Sequence, residues 1–358
     1  MKDFIKLLKA PKRDRLALFQ ETAIRLGTTP ANVEKDLMVC WTLDALYNRS
    51  KLGDTRFLFK GGTSLSRVHG LIARFSEDCD LSVFRADLGI PVNASDLVSM
   101  SSNGRKRVLE EIRQKCGAFI SGPVADEIER IAREDCARAG LAPDAIRIIR
   151  QSDDPDGQTL YVEYPSIASQ PGDYVRPRVM IESGAKSAVD PHITNVTIAP
   201  YLAEEVPGLN LRVGNIVAIE AGRTFGDKVV IAHGMNRWAA VRGEVLKGGN
   251  RMSRHYYDLY CLAKAGIADQ VLADGHTLQD CIGHARMFFN RTPFELDRAA
   301  AGEFHVMPTG DVLKAARIDY EAMKTMIFGT PPAFDDILEA IDDIQSKLDH
   351  ELSPAPLP

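Results

Sequence analysis

Two carboxylates one residue apart, Asp78 and Asp80 in the segment DCDLSVF, are the residues here best suited to chemistry. If the segment is a strand, side chains alternate between faces, so both acids share one face while Cys79 points into a core. Like charges that close disfavour each other unless a cation lies between them. Hard carboxylate oxygens favour Mg²⁺, which binds one or two protein acids and completes its octahedron with waters and substrate phosphates. Upstream, Lys60 precedes Gly61, Gly62, Thr63 and Ser64. A Gly-Gly turn without Cβ atoms allows close approach, and a helix starting near Thr63 offers free N–H groups and its positive dipole end, an arrangement suited to a triphosphate. The hydroxyls of Ser64 and Ser76 can add hydrogen bonds. The turn lacks the Gly-Lys-Ser/Thr ending of a P-loop.

The elements that must position these groups follow from periodicity. Thr29-Pro30 form an N-cap and first helical position, and Val33, Leu37, Cys40, Trp41 and Leu43 repeat at helical spacing up to about Asn48. RFLF (56–59) reads as a buried strand, Gly61-Gly62 as a turn, TSLSRVHGLI as a helix and DCDLSVF (78–84) as a second strand. Residues 101–140 form two amphipathic helical stretches, a helical insertion. Strands recur at 146–151, 159–165, 175–183 and 215–220, with a DDPDG turn between the first two, and helices fill most of 222–350. The expected fold is α+β: an N-terminal mixed sheet flanked by helices, then a helical C-terminal half. The expected domains are 1–220, a core with N-terminal helices and the insertion, and 221–358, mainly helical and completing the active site.

Composition sets outer limits. The 358 residues carry 44 Lys plus Arg against 49 Asp plus Glu, a net charge of −5, with 45% hydrophobic and 26% charged residues. Such values describe an ordinary globular chain and exclude disordered and fibrous architectures. No apolar run is long enough for a membrane span and the N-terminus is not a secretory signal, so a cytoplasmic location is expected. Six scattered cysteines without a Cys-x-x-Cys pair read as reduced, buried hydrophobes. No histidine pair has zinc-ligand spacing and no Gly-x-Ser-x-Gly elbow is present, which leaves zinc and serine-hydrolase chemistry without support.

Gly-Gly, a helix, then an acid-x-acid strand is the layout of the polymerase-beta-like nucleotidyltransferases. With VEKDLMVCWTLDAL (33–46) upstream and RTFGDKVVIAHG (223–234) and SRHYYDLYCL (253–262) downstream, the chain resembles the AbiEii/AbiGii-type nucleotidyltransferase toxins of abortive-infection and toxin–antitoxin systems. The resemblance implies that Asp78 and Asp80 are catalytic acids holding Mg²⁺, two ions by the usual mechanism. It implies that Lys228 is the lysine facing the nucleotide phosphates and Asp258 the acid of the Tyr-Asp-Leu block. Gly61, Gly62, Thr63, Ser64 and Ser76 would then line the nucleotide site. Cys79 stands where the family usually has an aliphatic residue.

The residues themselves leave Asp258 open to pairing with Arg254 on its own helix face, or to orienting Lys228. Such enzymes generally use a third acid on a neighbouring strand; Glu182 is the nominee, with Glu163 and Asp173 as alternatives. The implied activity is transfer of NMP from an NTP to an acceptor hydroxyl at the 3′ end of tRNA, with a block on translation and a cognate antitoxin. Two other readings stay open: a small-molecule or protein acceptor, and a degenerate nucleotide-binding module. For RNA contact the basic segments are Arg237, Arg242, Lys247, Arg251 and Arg254, and Lys6, Lys9, Lys12, Arg13 and Arg15.

Overall fold

A computed structural model describes residues 3–151, 153–170, 176–246 and 251–351. Asp173, Lys247 and the PAPLP tail lie outside the described residues. The chain divides into two compact units. The first comprises Met1–Val68, Arg74–Val92 and Ser101–Ile219; the second comprises His69–Ala73, Asn93–Met100 and Glu220–Pro358.

The first unit is built on a seven-stranded mixed sheet of order β3-β4-β5-β2-β1-β7-β6. Its strands are β1 (Phe57–Lys60), β2 (Asp78–Val83), β3 (Arg147–Arg150), β4 (Thr159–Glu163), β5 (Arg178–Gly184), β6 (His192–Ile198) and β7 (Val213–Ile219). β1 pairs antiparallel with β2, and β2 pairs parallel with β5. Helices α1 (Phe4–Lys9), α2 (Lys12–Leu26), α3 (Pro30–Asp44), α4 (Gly61–Arg67), α6 (Ser102–Phe119) and α7 (Ala125–Ala139) complete this unit.

α3 starts where the Thr29-Pro30 signal places it, with the Thr29 hydroxyl accepting from the Asn32 amide at 3.3 Å. Its residues from Ala31 to Asp44 are buried, charged ones included. It packs on β2, β5 and β7, and Trp41 donates to Asp135 of α7 at 2.8 Å. The alternate residues Cys79, Leu81, Val179, Ile181, Leu160 and Val162 are buried in the core.

Two local expectations change. The helix after β1 starts at Gly61, earlier than expected, and ends at Arg67, after which the chain turns through left-handed Gly70 (φ 64°). The edge strand β6 was not anticipated. Its residues Thr194 and Asn195 are exposed and its pairing with β7 is irregular between Ile193 and Val196, where Asn195 has φ 58°. A bulge of that kind destroys the period-two pattern by which a half-buried strand is recognised.

The second unit is helical among its described residues: α5 (Ala94–Val98), α8 (Ala221–Arg242), α9 (Ser253–Lys264), α10 (Ile267–Asp274), α11 (His276–Phe288), α12 (Leu296–Ala300), α13 (Gly310–Met323) and α14 (Phe334–Glu351), with short 3₁₀ turns. α8 is its centre and touches α9 through α13. At Gly226 a Cβ would stand 2.5 Å from Cys281 Sγ, so that glycine sets how closely α8 and α11 approach. Asp319 of α13 accepts from the Ser253 amide (2.8 Å) and hydroxyl (2.5 Å), supplying the cap of α9 from another helix. Among the described residues no helix is long and apolar enough to cross a membrane. All six cysteines are free thiols, five of them buried.

Candidate active site

The acid-x-acid strand has the alternation its sequence requires. In β2, Cys79 is wholly buried whereas Asp78 and Asp80 are half-buried on the opposite face. Burial first, and then the flanking Asp78 and Asp80, hold the Cys79 thiol well above its usual range, so it is a neutral core group. The register lines up Lys60 of β1, Asp80 of β2, Glu182 of β5 and Thr159 of β4 in one row across the sheet. Asp78 lies in the row of Met180 and Tyr161. Glu182 is thus the direct cross-strand neighbour of Asp80. Glu163 lies four residues away along the sheet and pairs with Arg147 at 2.8 Å. Among the described residues no three His, Cys, Asp or Glu side chains converge as a ready metal cluster.

The two glycines work differently from the close-approach argument. Gly61 has φ 73°, and a Cβ there would lie 2.7 Å from Asp80 Cγ. A Cβ on Gly62 would stand 3.0 Å from Ser76 Oγ and 3.2 Å from Arg74 Cζ. The room left by the missing side chains is filled by the Asp80 carboxylate and the Arg74 guanidinium. The glycines admit the site's own charged groups. Thr63 donates its hydroxyl to the Asp78 carbonyl at 2.6 Å, clamping α4 to β2. Ser64 is fully buried and its hydroxyl has no hydrogen-bond partner, while Ser76 is half-buried. Thr63 and Ser64 therefore face inward, and Ser76 is the more accessible hydroxyl.

Three residues that sequence reasoning passed over shape this surface. Arg74, 4% exposed, spans Gly62. Lys35 of α3 reaches Glu77, the residue before Asp78, in a buried ion pair of 2.6 Å. Its neighbours are pinned equally: Glu34 accepts from the Ile167 amide (2.9 Å) and from the Ser166 hydroxyl, and Asp36 accepts from the Tyr201 amide (2.7 Å). Burial pushes the Asp36 carboxyl up, against the pull of Arg67 and that amide. The available signal was Glu-Lys-Asp in the middle of an otherwise apolar helix, since buried charge is retained only where it is paired.

In the second unit Lys228, on the third turn of α8, meets Asp258 of α9 at 2.8 Å. Lys228 is nearly buried and Asp258 fully so. Of the two open pairings for Asp258, the structure forms the one with Lys228. Nearby on α8, Arg223 is buried with Asp227 at 3.2 Å and Asp280 as partners.

The basic residues expected to touch RNA fare unequally. Arg15 is buried, Arg237 pairs with Glu295, and Lys6 pairs with Asp3 at 3.0 Å. Lys9, Lys12, Arg13 and Arg242 are exposed. Arg15 is thus a core group, because α2 turns it towards Glu34.

Residues 44–340 match the family described as "Nucleotidyl transferase AbiEii toxin, Type IV TA system". The chain belongs to the AbiEii nucleotidyltransferase toxin family. Membership makes it a nucleotidyltransferase toxin of a type IV toxin–antitoxin system, with an NTP substrate and an antitoxin counterpart. No curated protein matches it. Among solved structures it is similar to MenT4, a nucleotidyltransferase toxin from Mycobacterium tuberculosis H37Rv, at 15% identity and a TM-score of 0.49 over 94% of this chain and 89% of that one. Within the AbiEii match lie both the acid-x-acid strand and the Lys228–Asp258 pair.

Proposed function

We propose that this AbiEii toxin transfers a nucleoside monophosphate from an NTP to the 3′-terminal hydroxyl of tRNA, and that the modified tRNA blocks translation. The hydroxyl gives up its proton to water and its oxygen bonds to the α-phosphorus, as the bond from that phosphorus to the bridging oxygen breaks and pyrophosphate leaves with the bonding pair. The observation that carries this reading is the β2 alternation: two carboxylates on one accessible face, with the thiol between them turned into the core.

Asp78 and Asp80 are a donor set that suits Mg²⁺, being hard, half-exposed and adjacent, with Glu182 beside Asp80 in register as the third acid. When bound, two such ions draw charge from the attacking and leaving oxygens. The chain's own residues do the rest. Gly61 gives the Asp80 carboxylate its place, Thr63 fixes the start of β2, Ser76 offers a hydroxyl beside Gly62, and the buried Arg74 adds positive charge behind it. The family resemblance assigns Lys228 the role of countering charge on the departing pyrophosphate, and Asp258 orients its ammonium through a 2.8 Å ion pair.

The test is incubation of the full chain with Mg²⁺, labelled NTPs and total cellular RNA. Label should appear in the tRNA fraction, and Asp80→Ala should abolish it while the circular dichroism spectrum stays unchanged. Absence of labelled RNA with the unaltered chain rejects the RNA acceptor, and full activity of Asp80→Ala rejects the metal-binding role.

A further inference from the structure

The acid-bearing face of the sheet continues, towards the β3 edge, into an open groove of about 510 Å³ that the reading above does not use. Its lining includes Arg147, Arg176, Arg178, Tyr164, Pro165 and Pro177. The face is fixed by register. Arg178, Met180 and Glu182 alternate on the side of β5 shared by Asp78 and Asp80, and Arg178, Glu163 and Arg147 form a cross-strand row on that side. The Arg178 guanidinium lies 3.8 Å over the Tyr161 ring, which sits in the row of Met180 and Asp78. Moving from the acids, the surface therefore presents a thioether, then an aromatic ring capped by a guanidinium, then two further arginines.

We infer that this groove holds the acceptor strand, single-stranded RNA running from its 3′ end at Asp80 along β5 towards Arg176. The inference rests on the RNA-acceptor reading and deepens it. Four residues separate the Arg178 row from the Glu182 row, roughly 13 Å at the rise of a strand. About four stacked nucleotides at roughly 3.4 Å each span that distance. Planar guanidinium groups suit phosphate oxygens by paired donors, and the Arg178–Tyr161 stack offers a flat surface to an unpaired base. The groove also contains Glu163 and Asp144. Glu163 is already engaged by Arg147 at 2.8 Å, which leaves Arg176 and Arg178 as the main phosphate contacts.

The experiment compares the full chain with Arg176→Gln, Arg178→Gln and the double variant, reading the KM for RNA, the KM for NTP, and the affinity for an end-labelled single-stranded RNA oligonucleotide by fluorescence anisotropy at several salt concentrations. Arg176 is exposed, so its variant keeps the fold even if loss of the Arg178 stack disturbs it. The expected result is an RNA KM raised about tenfold in the double variant with the NTP KM unchanged. The slope of log affinity against log salt should fall by about 1.4, at roughly 0.7 per single-strand phosphate contact. An unchanged RNA KM and salt slope would overturn the inference. So would a rise in NTP KM alone, which would make the groove a nucleotide site. If the unaltered chain labels no RNA, the RNA-acceptor reading fails, and anisotropy still decides the groove: binding lost in the double variant supports it, and no binding by the unaltered chain overturns it.

Discussion

Replacing Gly61 by Ala tests the acid site through its backbone. Gly61 has φ 73°, and an added Cβ would lie 2.7 Å from Asp80 Cγ, closer than the roughly 3.5 to 4.0 Å of ordinary carbon contact. Relief requires the carboxyl group to retreat by about 1 Å. The left-handed backbone adds about 1 kcal/mol of strain for a residue with a Cβ, equivalent to about 2 to 4 °C in melting temperature for a unit of this size. Displacing a reacting group by about 1 Å can cost on the order of 10²-fold in rate. Gly53 supplies the control, because it has φ 65° and a Cβ added there would meet nothing within 4 Å. Gly53→Ala should therefore lose similar stability and keep full activity. Both variants are measured by thermal denaturation and by initial rates of labelled NMP transfer. The reasoning is refuted if Gly61→Ala transfers within threefold of the unaltered chain, or if Gly53→Ala loses as much activity.

Further expectations concern the buried charges. Asp258→Asn removes the charge partner of Lys228; a charge-assisted hydrogen bond contributes about 1.5 to 3 kcal/mol, so kcat/KM should fall by about tenfold to a hundredfold, and combination with Lys228→Met should add little further loss if the two act as one unit. Lys35→Met removes one partner of a buried pair and should destabilise the first unit by about 3 kcal/mol, read from urea unfolding. His233 is fully buried, and burial lowers its pKa from 6.5 to about 4. Its ring accepts from the His305 amide at 3.1 Å in the neutral state. The folded state thus binds fewer protons than the unfolded chain between those values, and stability falls as pH drops from about 6.5 to 4. The loss amounts to about 3 kcal/mol, and in His233→Gln the pH profile of the melting temperature should be flatter over that window.

Much of the fold was legible in local pattern. The Thr29-Pro30 cap marked the start of α3, and alternation through DCDLSVF decided the facing of Asp78, Cys79 and Asp80, because period two belongs to any strand wherever it packs. The segments IRIIRQ, TLYVEYP and NIVAIE likewise announced strands by β-branched and aromatic content. β6 escaped because its exposed Thr194 and its bulge at Asn195 erase the alternation.

Tertiary structure decided what depends on partners distant in sequence. Residue order cannot reveal that Glu182 lies beside Asp80 rather than Glu163, since strand register is set by pairing across the sheet. Nor can it reveal that Asp258 pairs with Lys228, thirty positions away on another helix. The same holds for Lys35 and Glu77, and for the carboxylate and guanidinium that occupy the space beside Gly61 and Gly62. Types and spacing of residues determined which chemistry is available and which face bears it. Burial determined the pairings, because a charge removed from water is retained only where the completed fold brings it an opposite charge or a hydrogen bond.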